Sequence, residues 1–191
     1  VTDANGKIFA LPISVGGAYA FTINPKVFEE MGLTMDDIPT NFIDLCAFVT
    51  RWNDEFVEDY PNFAPLDSTE KYKDRMFRLA LREWKGYCQA TNQDLHFDDP
   101  IFREMVAAID AMRCDRIEES NKKTSDEESD YKQPLIFTGS WMLNSYYDGD
   151  VTFGKDKTPK LIQMTLTKDT AFYLGQGIEI ELMFVNPRTT D

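Results

Sequence analysis

The start of the chain carries two short runs of mostly apolar residues. Residues 7–12 and 18–23 contain the aromatic and β-branched side chains that favour strands. Gly16 and Gly17 lie between the two runs, and a glycine pair permits backbone conformations that other residues avoid. The pattern therefore predicts two strands separated by a break at these glycines.

Two amphipathic helices are predicted to follow these strands. Asn24 and Pro25 are favoured at the N-cap and the first helical position, and Gly32 is favoured just after a helix. Thr40 is the predicted cap of the second helix. In that helix apolar residues recur at helical spacing from residue 42 to residue 56.

The middle of the chain predicts two further helices. Residues 67–70 have the composition of a capping box, and apolar residues continue behind it at helical spacing as far as Cys88. An Asp-Asp-Pro sequence ending at Pro100 predicts the start of the next helix. Trp52 and Trp84 lie on apolar helical stripes, so we expect both in the core.

The last part of the chain mixes a charged segment with apolar runs. Residues 115–134 contain a long stretch without apolar side chains, which predicts a charged, solvated loop or a frayed helix end. Residues 134–138 predict a strand or a helix end, and residues 178–185 predict a strand. Strands that alternate with helices in this way predict the α/β class.

Composition and charge limit the function. The 191 residues are 42% hydrophobic, which is typical of a globular chain, and no apolar run approaches the ~20 residues that span a bilayer. The net charge of −13 would repel a nucleic-acid backbone, so no nucleic acid is predicted as a partner. The chain begins without Met or a signal peptide, so we expect a piece of a longer protein.

The three cysteines do not have the number or spacing of a disulfide framework or a zinc site. We expect Cys46, Cys88 and Cys114 to be small buried side chains. No metal, cofactor or catalytic residue is predicted. His96, the single histidine, is interpreted as a packed or surface side chain, and no known catalytic motif occurs.

The order of these pieces resembles that in the second lobe of family 1 extracellular solute-binding proteins, the maltose-binding-protein-like family. The resemblance begins with the two strands and two capped helices of the first forty-five residues. Residues 95–102 resemble the entry to the long helix of that lobe, and residues 137–141 resemble its Gly-x-Trp segment. Residues 177–187 resemble the strand that returns to the first lobe.

The resemblance implies a fold and a function. The fold is α/β, with residues 1–191 forming a single lobe of a periplasmic-binding-protein type II fold, and with a mixed, mostly parallel sheet flanked by helices. The other lobe would be absent from the chain. The implied function is extracytoplasmic binding of a solute, expected to be a sugar or oligosaccharide, for uptake by an ABC importer, with closure of two lobes about a hinge near both ends of the chain.

Further expectations about partners and location follow from the same resemblance. The partners would be the small-molecule solute, the missing lobe and the membrane subunits of the importer. The location would be extracytoplasmic, as a cell-surface lipoprotein or in the periplasm, with a signal region outside this chain. The protein would not be an enzyme.

The predicted ligand contacts combine aromatic surfaces with polar groups, because a sugar presents C–H groups on its faces and hydroxyls on its edges. Trp141 would supply the main aromatic platform, and backbone amides near the glycine pair would supply polar contacts. The predicted ligand-binding residues are Ser14, Gly16, Gly17, Tyr19, Asp67, Ser68, Trp141 and Tyr146.

Three alternatives remain open at the level of the sequence. The solute can be a polyamine or another non-sugar molecule. A glycan-active enzyme would need two carboxylates facing each other across a cleft, which an acidic chain can supply. A sensor or interaction module would use outward acidic patches that meet basic loops of a partner.

Overall fold

The structure of the protein is a computed structural model that describes residues 10–18, 21–66, 71–124, 132–137, 159–175 and 178–184. The strands are β1 (Ala10–Ala18), β2 (Phe21–Ile23), β3 (Phe63–Leu66), β4 (Gln133–Phe137), β5 (Lys160–Ile162) and β6 (Ile178–Phe184). The helices are α1 (Pro25–Glu30), α2 (Phe42–Arg51), α3 (Tyr72–Ala90), α4 (Pro100–Ala111) and α5 (Asp115–Thr124). A 3₁₀ turn (Met35–Asp37) precedes α2, and a π-helical segment (Trp52–Phe56) continues it.

The strands form two sheets. β1 and β6 pair as an antiparallel two-stranded ribbon, and the other described strands form a sheet in the order β3-β4-β2-β5. Within that sheet β3 and β4 are parallel, whereas β2 is antiparallel to β4 and to β5. The predicted α/β class with a mixed sheet and flanking helices is confirmed. The expectation of a mostly parallel sheet is wrong for the described strands, because two of their three pairings in this sheet are antiparallel.

The predicted break at Gly16 and Gly17 is wrong, because β1 continues through both glycines. Between Val15 and Ala18, β1 instead has one more residue than the paired part of β6. An extra residue bends a strand and leaves backbone groups outside the ladder, and glycine tolerates the required geometry. Of the predicted strand over residues 18–23, Ala18 belongs to β1 and residues 21–23 form β2. The two residues between β1 and β2 lie outside the described residues.

Local signals fixed the ends of several helices as predicted. The Asn24 side chain accepts hydrogen bonds from the backbone amides of Lys26 and Val27, and Pro25 is the first residue of α1. Gly32 follows α1 with a φ of 71°, a conformation that costs glycine little. Asp99 caps α4 in the same way as Asn24 caps α1.

The predicted cap of α2 is displaced by one residue. Asn41 is the cap, and its side-chain oxygen accepts a hydrogen bond of 2.9 Å from the Asp44 amide. The Thr40 hydroxyl instead donates to the Asp44 carboxylate at 2.7 Å. The predicted capping box at residues 67–70 lies outside the described residues, and α3 begins at Tyr72.

One hydrophobic core joins the four-stranded sheet to all five helices. Its largest fully buried side chains include Trp52 and Trp84, as predicted, with Tyr72, Phe28 and Phe42. Fully burying an apolar side chain contributes roughly 1.5–3 kcal/mol, so this cluster is the main source of stability. The three cysteines are free and buried, which confirms their predicted role as small core side chains.

Part of the predicted charged loop over residues 115–134 is a helix. α5 occupies Asp115–Thr124, and β4 begins at Gln133, while residues 125–131 lie outside the described residues. Few apolar side chains hold α5 in place, since Ile117 is its one fully buried hydrophobic residue among those described. Polar contacts from other elements must therefore supply much of its anchoring.

The main anchor of α5 is Asn53 from the π-helical segment. Asn53 is 2% exposed, and its side-chain oxygen accepts hydrogen bonds from the amides of Arg116 (2.9 Å) and Ile117 (3.3 Å). The first amides of a helix have no intrahelical partner, so Asn53 performs the role of an N-cap from another part of the chain. The Arg116 guanidinium returns hydrogen bonds to the carbonyls of Asn53 and Asp54.

α5 in turn caps α3. The Glu118 carboxylate accepts a hydrogen bond of 3.1 Å from the amide of Tyr72, the first residue of α3. Acidic groups are favourable at a helix N-terminus because the local dipole is positive there. The π-helical segment, α5 and α3 are therefore connected in series by side-chain caps.

Among the described helices, none has both the length and the apolar character needed to cross a membrane.

We expect Asn53→Ala to destabilise the protein by about 1–3 kcal/mol, because two buried amides of α5 lose their acceptor. The free energy of unfolding from urea titration measures this loss. Asn62→Ala is the matched control, since Asn62 is exposed. An equal effect of the two substitutions would contradict the anchoring role of Asn53.

We also expect the cysteines to resist thiol reagents in the folded protein. Burial raises the pKa of the Cys46 thiol to about 12 and, with help from Glu118, that of Cys114 to about 11, so the reactive thiolate is scarce at neutral pH. An Ellman assay should show slow labelling in buffer and rapid labelling in denaturant. Rapid labelling of the native protein would contradict the described packing.

Candidate functional site

The four-stranded sheet brings distant parts of the chain to one of its ends. β3 and β4 are parallel with Leu66 opposite Ile136, so both strands finish at the same end of the sheet. β2 is antiparallel to β4 with Thr22 opposite Phe137, so Phe21 begins β2 at that end. In open α/β sheets, ligands bind beyond the carboxyl ends of parallel strands. This end of the sheet is therefore the candidate site.

Four of the predicted ligand-binding residues are close in sequence to strand ends that meet at this end of the sheet. Asp67 and Ser68 directly follow the last residue of β3, and Trp141 comes four residues after the end of β4. Tyr19 comes two residues before the start of β2. These four residues and Tyr146 lie outside the described residues, so their roles stay predictions.

The other three predicted residues lie in the ribbon. The backbone of Ser14 is opposite Glu181, and Gly16 and Gly17 occupy the stretch where β1 has its extra residue. β1 reaches β2 across only two intervening residues, so the Cα atoms of Ala18 and Phe21 are at most about 11 Å apart. The irregular part of the ribbon is therefore close to the candidate end of the sheet.

The end of the sheet rests on a rigid apolar base. Phe21 is 2% exposed and Leu66 is 1% exposed, and Leu135 and Ile136 are fully buried. Packed side chains of this kind fix the strand ends, and segments that leave such ends start from defined positions. A site built here would have a preformed floor.

His96 takes no part in this arrangement. Its backbone carbonyl accepts a hydrogen bond of 2.6 Å from the indole nitrogen of Trp84, and its ring packs edge-on against that indole. Its Nδ1 atom lies 2.7 Å from the carbonyl oxygen of Asp94. These contacts fasten the loop before α4 to α3, in agreement with the interpretation of His96 as a packed or surface residue.

A separate groove of about 790 Å³ lies along the outer face of α2, between the 3₁₀ turn and the end of α4. Its described lining includes neither Ser14, Gly16 or Gly17 nor any residue of β2, β3 or β4, so it is distinct from the candidate end of the sheet. The sequence did not predict this groove, although four of its residues recur at the spacing of a single helical face: Ile43, Ala47, Thr50 and Asp54. We call it the α2 groove.

An ion-pair network borders the α2 groove. Arg51 lies 2.6 Å from Asp37 and 2.9 Å from Glu55 and is shared between them. The Thr34 backbone amide donates to Asp37 at 2.8 Å, and this bond, followed by the contact with Arg51, lowers the pKa of Asp37 from its ordinary value of 3.8. Asp37 is therefore ionised at neutral pH, and its ion pair with Arg51 fixes the 3₁₀ turn against α2.

No protein-family model matches the sequence, and no curated protein matches it. Two solved structures are similar to it. The crystal structure of cyclic α-maltosyl-1,6-maltose binding protein from Arthrobacter globiformis has 18% sequence identity and a TM-score of 0.47, with 96% of this chain and 46% of that chain covered. The SBP RafE in complex with raffinose has 14% sequence identity and a TM-score of 0.44, with 91% of this chain and 47% of that chain covered. The chain therefore spans about half the length of each.

The ion-pair network at Asp37 should make the free energy of unfolding depend on pH. Because the pKa of Asp37 is lower in the folded state, its carboxylate contributes stability above the unfolded-state pKa, and this contribution disappears as the pH falls through the folded-state pKa. We expect Asp37→Asn to reduce the free energy of unfolding at pH 7 and to have a smaller effect below about pH 3. Chemical denaturation at the two pH values tests this, and a pH-independent difference would contradict it.

Proposed function

We propose that this chain is one lobe of a two-lobe extracytoplasmic solute-binding protein that serves an ABC importer, and that its solute is a carbohydrate. The observation that carries the proposal is the convergence at the candidate end of the sheet. At this end the parallel β3–β4 pair and the antiparallel β2 bring together the strand ends that lie nearest in sequence to Tyr19, Asp67, Ser68 and Trp141. An aromatic platform beside polar and acidic groups is the combination that sugar recognition requires.

The ribbon supports the two-lobe architecture. The sequence resemblance implied crossing strands near both ends of the chain, and β1 and β6 pair with each other from Ala10–Phe184 to Ala18–Ile178. The ribbon belongs to a different sheet from the strands that carry the candidate site. Chain segments that continue beyond Ala10 and Phe184 would leave from neighbouring points, as a hinge of two strands requires.

In this proposal the ligand acts by favouring a closed state. A sugar held between the two lobes would contact both lobes only when they close, so it would shift the hinge equilibrium towards closure. The irregularities of β1 between Pro12 and Ser14 and between Val15 and Ala18 are positions where the ribbon can bend. Residues Ser14, Gly16 and Gly17 would then both contact solute and lie beside the bending point.

We expect the complete two-lobe protein to be stabilised by at least one member of a panel of sugars and oligosaccharides in a thermal-shift screen. At a ligand concentration one hundredfold above Kd, the free energy of unfolding rises by about 2.7 kcal/mol. Polyamines in the same panel test the alternative solute class. Stabilisation by polyamines alone would refute the carbohydrate, and the absence of any response would refute the proposed function.

Trp141→Ala should weaken sugar binding by the two-lobe protein about tenfold or more, because an aromatic platform is lost. Isothermal titration calorimetry measures the change. Phe77→Ala is the matched control, since Phe77 is an exposed aromatic residue of α3, which carries none of the predicted ligand contacts. The 191-residue chain alone should bind weakly or not at all, because the opposing contacts are missing, and tight binding by this piece would contradict the two-lobe site.

A further inference from the structure

The floor of the α2 groove is apolar and shallow. Ile43 and Ala47 contribute from α2, and Ala108, Ala111 and Met112 contribute from the end of α4. Alanine side chains where two helices meet leave a furrow that larger residues would fill. The face from Ile43 to Asp54 is about 16 Å long at 1.5 Å per residue, which matches about three turns of a helix lying alongside.

The rim of the α2 groove is strongly acidic. Among the described residues that line it, five are carboxylates and one is an arginine, Arg51. A second arginine, Arg113, pairs with Asp54 from beside the groove, so negative charge remains in excess. The acidic residues of the lining are Asp36, Asp37, Asp44, Asp54 and Glu55.

The rim is also held in a defined geometry. Thr34 and Asp37 form a capping box that sets the 3₁₀ turn, and Asp44 is fixed by Thr40 and Asn41. Met35, the first residue of that turn, is 46% exposed. An exposed methionine beside an acidic rim offers an adaptable apolar contact to an incoming chain.

We propose that the α2 groove binds a basic amphipathic helix of a partner protein. Apolar side chains of that helix would occupy the alanine furrow, while its Lys and Arg side chains would meet the carboxylates of the rim. This is the helix-in-groove mode, in which residues at helical spacing anchor one face. The charge of the rim selects a basic partner and excludes an acidic one.

The shape of the α2 groove favours a helix over a small cation. A small-molecule site encloses most of its ligand, whereas the α2 groove is an open furrow on the outer face of α2. A small polycation would remain largely hydrated there and would leave the apolar floor uncovered. An amphipathic helix covers the floor and neutralises the rim together.

Fluorescence anisotropy with a labelled peptide tests the proposal. The probe is a helical peptide with Leu on one face and Lys on the others, and its counterpart replaces Lys by Glu. We expect saturable binding of the Lys peptide by the full chain, no binding of the Glu peptide, and weaker binding as salt is raised. Failure of the Lys peptide to bind would overturn the proposal.

Two variants locate the peptide. Ala47→Trp fills the furrow at an exposed position, and the double substitution Asp36→Lys with Glu55→Lys reverses the rim. Each should weaken binding about tenfold or more. The matched control is Asp94→Lys with Asp169→Lys, two exposed positions outside the groove with the same change in net charge. Thermal unfolding confirms that each variant is folded.

The outcomes separate the occupants of the groove. Equal weakening by the rim and control variants would mean non-specific attraction to an acidic protein and would overturn the proposal. Spermine provides a second comparison. Saturable spermine binding that is lost in the rim variant, is unchanged in Ala47→Trp and is not displaced by the Lys peptide would assign the groove to small polycations. That result would also overturn the proposal. Sugar binding by the two-lobe protein should be unchanged in every groove variant. The proposal for the groove and the proposed function can therefore be refuted separately.

Discussion

The parallel pairing of β3 and β4 is the constraint on which the rest of the structure depends. Two parallel neighbours cannot be joined by a tight turn, so the chain must cross over between them. The crossover here holds α3, α4 and α5, and these helices supply much of the core, including Met76 and Trp84. The same pairing places the last residues of both strands at one end of the sheet. The parallel pairing of β3 and β4 therefore determines both the core and the position of the candidate site.

In the crossover, polar contacts supplement the apolar burial, particularly at α5. α5 is charged over most of its length, and it is held by Asn53 from the π-helical segment and by the bond of Glu118 to the start of α3. Glu83, which is buried, makes a comparable contact, since its carboxylate accepts a hydrogen bond of 2.9 Å from the amide of Gly175. Polar side chains thus connect segments that are distant in the sequence.

The sequence predicted those features that depend on neighbouring residues. Asn24 with Pro25, Gly32 and the Asp-Asp-Pro start of α4 acted as expected because a cap or a left-handed turn is satisfied within a few residues. Asn41 took the place of Thr40 because both residues can accept a hydrogen bond from the first turn of α2, and adjacent candidates are not distinguished by pattern alone.

Features that depend on distant parts of the chain were missed. Pairing with β6 kept β1 intact through the glycine pair, whose local preference is for a break. The acceptor for α5 is on another element, so its charged sequence predicted only a solvated loop or a frayed helix end. Candidate site residues could be chosen by their chemistry, but the meeting of the strand ends nearest to them in sequence follows only from strand direction. The α2 groove needs the juxtaposition of α2 and α4, which no single segment encodes.

The ribbon also determines how the protein would respond to mechanical force. Ala10 and Phe184 are opposite each other at one end of an antiparallel ladder whose hydrogen bonds run across the strands. Tension applied through these two points would load the bonds one at a time, from the outermost pair towards Ala18. The ribbon would therefore open like a zipper at low force, while the four-stranded sheet and its core remained folded.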